Sequence, residues 1–232
     1  MKMRHIVSTV FTFLGVLLIS VNGYAGGSRD RVSELKELIL EIANNARGEF
    51  DNEDNSAEAR AALDPLVDEL VSLVPQKTET KKLPLVVGSW KQVWSDGPGG
   101  GPPGSGGTLA DSVFQVVFPD GYYWNIGKNQ VGETKSMGYL RGKFTIDVNK
   151  LDIEFTKSVG SPGCAPDDTE SYLLAMQAET GAFDSMPTPG PIGKKGFLAN
   201  TYVDEDLRIC RGGGDDFGTG TYLYILERES EL

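Results

Sequence analysis

The sequence predicts a mainly β fold: an antiparallel sheet or barrel preceded by two amphipathic helices. Three observations predict it. Apolar residues recur at three- and four-residue steps as far as Val74, the period of a helix face. From Leu85 onwards they recur at two-residue steps, the period of a strand. The alternating segments follow one another at short spacing without helices between them, which points to antiparallel neighbours.

The chain opens with "MKMRHIVSTVFTFLGVLLISVNGYAGG". Lys2 and Arg4 precede an uncharged apolar run from Ile6 to Val21, and Gly23 and Ala25 follow at the spacing of a cleavage site. That is the layout of a secretory signal peptide over residues 1–25, cut after Ala25. The run falls short of the ~20 residues that span a bilayer, and no Cys follows it to carry a lipid. The expected location is a periplasm or equivalent lumen, or outside the cell. His5 is the only histidine and leaves with the signal, so imidazole-based catalysis and zinc sites that use His are excluded from the mature chain. The formal charge moves from 22 − 33 = −11 to 20 − 33 = −13. So acidic a chain repels nucleic-acid phosphate and anionic head groups. About 200 residues then remain, one domain's worth.

In "SRDRVSELKELILEIANNARGEF", Val32, Leu35, Leu38, Ile39, Ile42 and Ala46 form one stripe. Ser28 is placed to cap the helix, Asp30 and Glu34 suit its positive end, and Gly48 closes it. Ala59, Ala62, Leu63, Leu66, Val67, Leu70 and Val74 repeat the pattern. Pro65 interrupts it, so Asp64-Pro65 reads as a cap and first turn after a short break, and Pro75 ends the helix. Residues 26–82 thus form a helical segment that packs on a β domain, residues 83–232.

That domain begins with "VVGSWKQVWS", which places Trp90, Gln92 and Trp94 on one face. "SVFQVVFPDGYYWNI" is two strands joined by Pro119-Asp120-Gly121, a turn signature. "YLRGKFTIDVNKLDIEFTK" is the clearest hairpin. Leu140, Phe144, Ile146, Leu151, Ile153 and Phe155 share a face, and a loop at Asp147–Lys150 puts Lys143 opposite Glu154. "SYLLAM" reads as a further strand, and "FLANTYV", "LRICR" and "TYLYILER" close the chain. Ser95–Gly107 and Ser185–Gly196 are rich in Gly and Pro and read as loops.

Few residues suggest chemistry. The glycines after Arg211 lead into a strand and are accompanied by Asp215 and Asp216, the wrong setting for a phosphate loop. The stretch from Asp51 follows a calcium loop for five positions, then has Ser56 where Gly is needed and Ala62 where Glu is needed. Ser33-Glu34-Leu35-Lys36 matches Ser-x-x-Lys on an ordinary amphipathic helix. Trp90, Trp94, Phe114, Phe118, Tyr122 and Trp124 are more suggestive, because they alternate along adjacent strands. If all six face inward they line a large apolar pocket; the alternative is a filled core. Cys164 and Cys210 are an even pair in an exported chain and are expected to form one disulfide, with Cys210 pointing to the side of Arg208, away from the core.

Gly88-Ser89-Trp90 resembles the Gly-x-Trp opening of lipocalin-like barrels. The ending is more specific. Tyr202, Asp204, Asp206, Leu207, Arg208, Ile209, Arg211 and Gly212 resemble the C-terminal signature of the plastid lipid-associated proteins, or fibrillins, and Arg47-Gly48 resembles the end of their first helix. The resemblance implies a lipocalin-like antiparallel β-barrel preceded by helices, no enzymatic activity, and association with lipids or small apolar molecules. It implies that the signature is the closing hairpin, structural first, with Leu207 and Ile209 facing the core. Arg208 and Arg211 then reach Asp204 or Asp206, or lay their stems on a Trp. The functional expectation is an exported, non-enzymatic binding protein whose partner is lipid or an apolar small molecule, with no cofactor and no metal. A structural coat protein on a lipid surface, with a packed barrel, is the alternative. A carboxylate-dependent hydrolase is a third reading, resting only on the abundance of Asp and Glu.

Overall fold

The computed structural model describes residues 27–46, 53–75, 77–97, 112–131, 133–161, 173–174, 177–178, 186–187, 190–214 and 221–230. Three helices come first: α1 (Gly27–Ala46), α2 (Glu53–Leu73) and α3 (Glu79–Val86). Strands β1 (Gly88–Ser95), β2 (Ser112–Val117), β3 (Tyr122–Val131), β4 (Thr134–Ile146), β5 (Leu151–Ser161), β7 (Lys195–Val203), β8 (Leu207–Gly214) and β9 (Tyr222–Glu229) each pair antiparallel with the next, and β9 pairs back to β1. The ring is therefore a closed eight-stranded meander, which leaves no unpaired edge. The two-residue β6 (Met186–Pro187) lies against β5 outside it.

The expected hairpins are present in register. Lys143 faces Glu154 and Ile146 faces Leu151 across β4–β5. Gly121 makes the β2–β3 turn at φ 89°, and its carbonyl accepts from Phe144 N. One end of the barrel carries α3 and the tight turns β2–β3, β4–β5 and β7–β8.

Both faces of the wall are buried. Trp90, Tyr123, Leu140, Phe144, Leu151, Ile153, Phe155, Leu198, Cys210, Tyr224 and Leu226 fill the lumen. Leu207, Ile209, Leu223 and Ile225 point outward beneath Leu35, Ile39 and Ala43 of α1 and Leu63, Val67 and Leu70 of α2. On a different stretch of outer wall, Phe114, Trp124, Ile126 and Tyr139 pack with Leu173. The helices are thus held to the barrel by their apolar stripes, as the period of those stripes requires.

Several expectations need correction. α2 runs unbroken through Pro65. Ala59, Leu63, Val67 and Leu70 are all buried against one wall, and Asp64 bonds Arg60 and Arg211 instead of capping. A third helix, α3, precedes the barrel where two helices were expected. In "SYLLAM" the described residues Leu173 and Leu174 are helical, with Ala178 N donating to Leu174 O. The signal segment, Gly48, Cys164 and Asp215-Asp216 lie outside the described residues, as does most of Ser95–Gly107, whereas in Ser185–Gly196 residues 186–187 and 190–196 are described, including β6 and the start of β7.

Candidate functional site

Among the described residues the lumen is apolar apart from a set of buried polar side chains, those nearest the α3 end joined in one hydrogen-bonded network. These residues come from strand positions in phase with apolar lumen residues: Gln92 two after Trp90, Asn125 two after Tyr123, Asn200 two after Leu198, Arg208 two before Cys210. All four are buried, as is Gln115. Asn200 is the hub. Its backbone N donates to Glu79 Oε1 at 2.9 Å and its Nδ2 to Glu79 Oε2 at 2.6 Å. Its Oδ1 accepts from Arg208 Nε at 2.7 Å and from Cys210 Sγ at 3.2 Å. Lys82 of α3 donates to Asn200 O and to Glu79. A carboxylate that is 1% exposed is thus fully satisfied by α3 and β7. Glu79 fixes the helix to the barrel end, and its N–H donates to Val148 O in the β4–β5 turn.

Arg208 is completely buried and has neutral partners only. Besides Asn200, its Nη1 donates to Gln115 Oε1 at 3.1 Å. Among the described residues its Nη2 has no hydrogen-bond partner. Trp90 lies between this network and the strand ends. Arg208 is 5.9 Å from the Trp90 ring centre and Arg228 is 3.8 Å from it, both within cation–π range. Trp90 Nε1 donates to Val86 O. Arg228 donates to Leu85 O, Val87 O and Glu205 O, which stitches the α3–β1 link to the β7–β8 turn. Burial, reinforced by Arg208, lowers the Arg228 pKa although acids of that turn oppose the change. Gly88 opens β1 at φ 122°, and a Cβ there would sit 2.5 Å from Arg228 Nη1. The Gly-x-Trp signature is therefore the space for this arginine plus the indole beneath it.

Above the network the lumen holds a cavity of about 30 Å³, lined by Gln92, Gln115, Tyr123 and Asn125 on one side and Phe155, Leu198 and Tyr224 on the other. Its edge at Gly196 and Gly213 is half-buried, so it reaches toward the surface there. Asn125 Nδ2 donates to the Tyr123 hydroxyl at 3.4 Å. Burial pushes the Tyr123 and Tyr224 phenols up, so both keep their protons. A larger groove of about 500 Å³ lies outside the barrel between Pro75, Leu85, Tyr202 and Val203. Its Lys82 and Asp204 are already committed to other partners.

The six aromatic residues expected to share the lumen do not. Trp90 alone is inside. A bulge between Gln92 and Trp94 flips Trp94 outward beneath the helices. Phe114, Phe118 and Trp124 pack on the outer wall, where Trp124 Nε1 donates to Gln177. Tyr122 shares that outer phase, 5.2 Å from Arg141.

The C-terminal signature builds structure. Asp204 Oδ1 accepts from the backbone of Asp206 and Leu207, and its Oδ2 from the Tyr202 hydroxyl at 2.7 Å and Lys36 at 2.6 Å. Burial opposes ionisation of Asp204, but Lys36, Tyr202 and the two amides outweigh it and hold the carboxyl below its usual value. Arg211 reaches Asp64 and Asp68 of α2, not the turn. Gly212 leaves room for Leu198 and Tyr224.

Cys210 was expected to point away from the core. It points into the lumen, is fully buried and is a free thiol, with burial pushing its pKa up to about 11. Its strand has two buried faces, so sharing a side with Arg208 places it inside.

Sequence reasoning missed Glu79, Gln115, Asn125 and Asn200. The signal for the last three was an amide in phase with the apolar lumen face; Glu79 carried none. Among the described residues no three of His, Cys, Asp and Glu group as a metal site.

Comparison with known proteins gives one family: the PAP_fibrillin model matches residues 33–218, from α1 to beyond β8. No curated protein matches the chain.

Proposed function

The chain belongs to the PAP_fibrillin family, and from that premise we propose that it is an exported, non-enzymatic protein that binds lipid or another small apolar molecule inside its barrel. The family and the fold together fit a lipid-associated, non-catalytic protein. The observation that supports an internal site is the lumen itself. It is walled by Phe155, Leu198, Ile153 and Tyr224 and lined on one side with uncharged amides around a cavity. Apolar walls with a few placed polar groups are the usual construction of small-molecule sites; at about 30 Å³ this cavity has room for about one water, so a ligand enters as side chains that fill the lumen turn aside. The opening sequence supports export to a periplasm or equivalent lumen.

The coat-protein reading needs an outward apolar surface. The apolar stripes of α1 and α2 are spent on the barrel wall, which favours the internal site over a helix-mediated coat.

The three tryptophans test this reading, because they lie in three different places. Titration with a brominated, uncharged long-chain alcohol should quench Trp90 in a saturable way. The quenching should disappear in Trp90→Phe and persist in Trp94→Phe and Trp124→Phe. Quenching that survives Trp90→Phe, or that rises without saturation, contradicts an internal site.

A further inference from the structure

The groove outside the barrel is one half of a longer depression. It lies between Val74 and Pro75 at the end of α2, Leu85 of α3, and Tyr202 and Val203 of β7, and holds about 500 Å³. A second hollow of about 390 Å³ is lined by Lys77, Thr78, Lys82, Asn149 and Thr201. Lys77, Lys82 and Thr201 line both, so the two adjoin. Each volume falls in the range of ~300–1,000 Å³ usual for small-molecule sites. The two halves differ in chemistry. In the first, Val74, Leu85 and Val203 are half-buried and Pro75 is exposed, so each turns apolar surface to the groove. The second is polar. Its Lys82 is balanced by Glu79. Its Lys77 is exposed and has no hydrogen bond or ion pair among the described residues. The Thr78 side chain makes no capping bond to α3. An uncompensated cation with polar neighbours therefore stands at one end of an apolar groove, in a chain of net charge −11. Beyond Val203, at the other end, Glu205 and Asp206 are exposed.

We propose that this depression is a second binding site, outside the barrel, for a single-chain amphiphile whose head is a singly charged tetrahedral oxyanion, a phosphodiester or a sulfate ester. The head lies at Lys77, with the Thr78 and Thr201 hydroxyls and the Asn149 amide lining the same hollow as further donors. The chain lies over Val74, Pro75, Leu85 and Val203 and contributes in proportion to the apolar area it covers. Charge selects the head: one free lysine balances one negative charge. A phosphate monoester carries about −1.5 to −2 at neutral pH and would leave an excess. Shape agrees. Lysine is a compact charge with three donors and takes a tetrahedral oxyanion as a point charge, whereas the planar carboxylate is best matched by the fork of an arginine. Glu205 and Asp206 repel an anionic head from the far end, so the ligand lies in one direction only. The site uses neither the lumen nor Trp90, and it stands or falls separately from the internal site.

The test titrates the chain as its host processes it, at low ionic strength, with three probes below their aggregation concentrations. They are a lysophosphatidylglycerol, the monoacylglycerol with the same chain, and glycerophosphoglycerol, which is the head alone. Wild type is expected to bind the first at least tenfold more tightly than either of the others, and the preference should shrink at high salt. Lys77→Glu changes an exposed side chain, so the melting temperature should hold while lysophosphatidylglycerol loses at least tenfold and the monoacylglycerol little. A diazirine on the acyl chain then locates it: crosslinks are expected on residues 74–85 and 201–206. Equal affinity for the anionic and neutral lipids, or undiminished binding in Lys77→Glu, overturns the proposal. Equal affinity for the head alone leaves an anion site and overturns the amphiphile. Crosslinks confined to Ile153, Phe155 and Tyr224 overturn the outer site and support the internal one, whose own test is the saturable quenching of Trp90.

Discussion

Asp204→Ala and Asp204→Asn differ by a few atoms and should differ by a measurable energy. One carboxylate holds the β7–β8 turn and ties it to α1: it accepts from Asp206 N, Leu207 N, the Tyr202 hydroxyl and Lys36. Asparagine keeps a carbonyl for the two backbone amides and loses the Lys36 pair and the best acceptor for Tyr202. Asp204 is 30% exposed and Lys36 21% exposed in their side chains, so that ion pair contributes at most about 1 kcal/mol. Alanine also strands two amides, one of them on the buried Leu207. At roughly 1 kcal/mol per lost bond, discounted for partial exposure, Asp204→Ala should cost about 2–3 kcal/mol and Asp204→Asn about 1. Urea unfolding should show both losses as lower midpoints at unchanged slope. The pH dependence follows from the lowered native pKa. The carboxylate's contribution is complete above the unfolded value, about 3.9, and drains away as pH falls through the native value. The advantage of wild type over Asp204→Asn should therefore close in strong acid. Equal losses in the two variants at pH 7 would refute the reasoning, since the turn amides would then be irrelevant and charge alone would matter.

Other consequences are as direct. Gly88→Ala forces a side chain onto φ 122° and into the Arg228 guanidinium, and should cost about 1–3 kcal/mol in thermal unfolding; an unchanged melting temperature contradicts this. Leu63→Ala empties a fully buried position between α2 and the wall and should cost about 2–5 kcal/mol. The loss should appear as one cooperative transition if helices and barrel unfold together, and as two if they do not. Arg211→Ala removes only half-exposed ion pairs to Asp64 and Asp68 and should cost under about 1 kcal/mol in the same melts. Cys210, buried and pushed up to about 11, should resist iodoacetamide at pH 8 until urea unfolds the barrel; rapid labelling of the native protein contradicts its placement in the lumen.

The hairpins could be read from the sequence because charge and period agreed, as at Lys143 opposite Glu154. What alternation could not supply was the meaning of each face. Helices cover the outside of the wall, so both sides of β8 are buried: Leu207 and Ile209 face α1 and α2, while Arg208 and Cys210 face the lumen. Period two separates the pairs but does not say which is inside. Bulges add to this, since one extra residue before Trp94 reverses its side, as a shift of register always does. α3 was invisible for a different reason. It has eight residues, contains Pro84, and buries Glu79 and Val86, with no apolar stripe. Pro65 misled because a proline usually ends a helix, yet the stripe continues in phase across it and burial of that stripe decides. The polar network depends on contacts between α3, β2, β7 and β8, which no local pattern records.

The most direct test of the lumen as a binding site is native mass spectrometry of the chain purified from its own host. Wild type should carry one small apolar molecule per chain, released on unfolding. A wild-type chain found only at its bare mass, together with no saturable uptake of either a long-chain acid or its alcohol, would contradict the account.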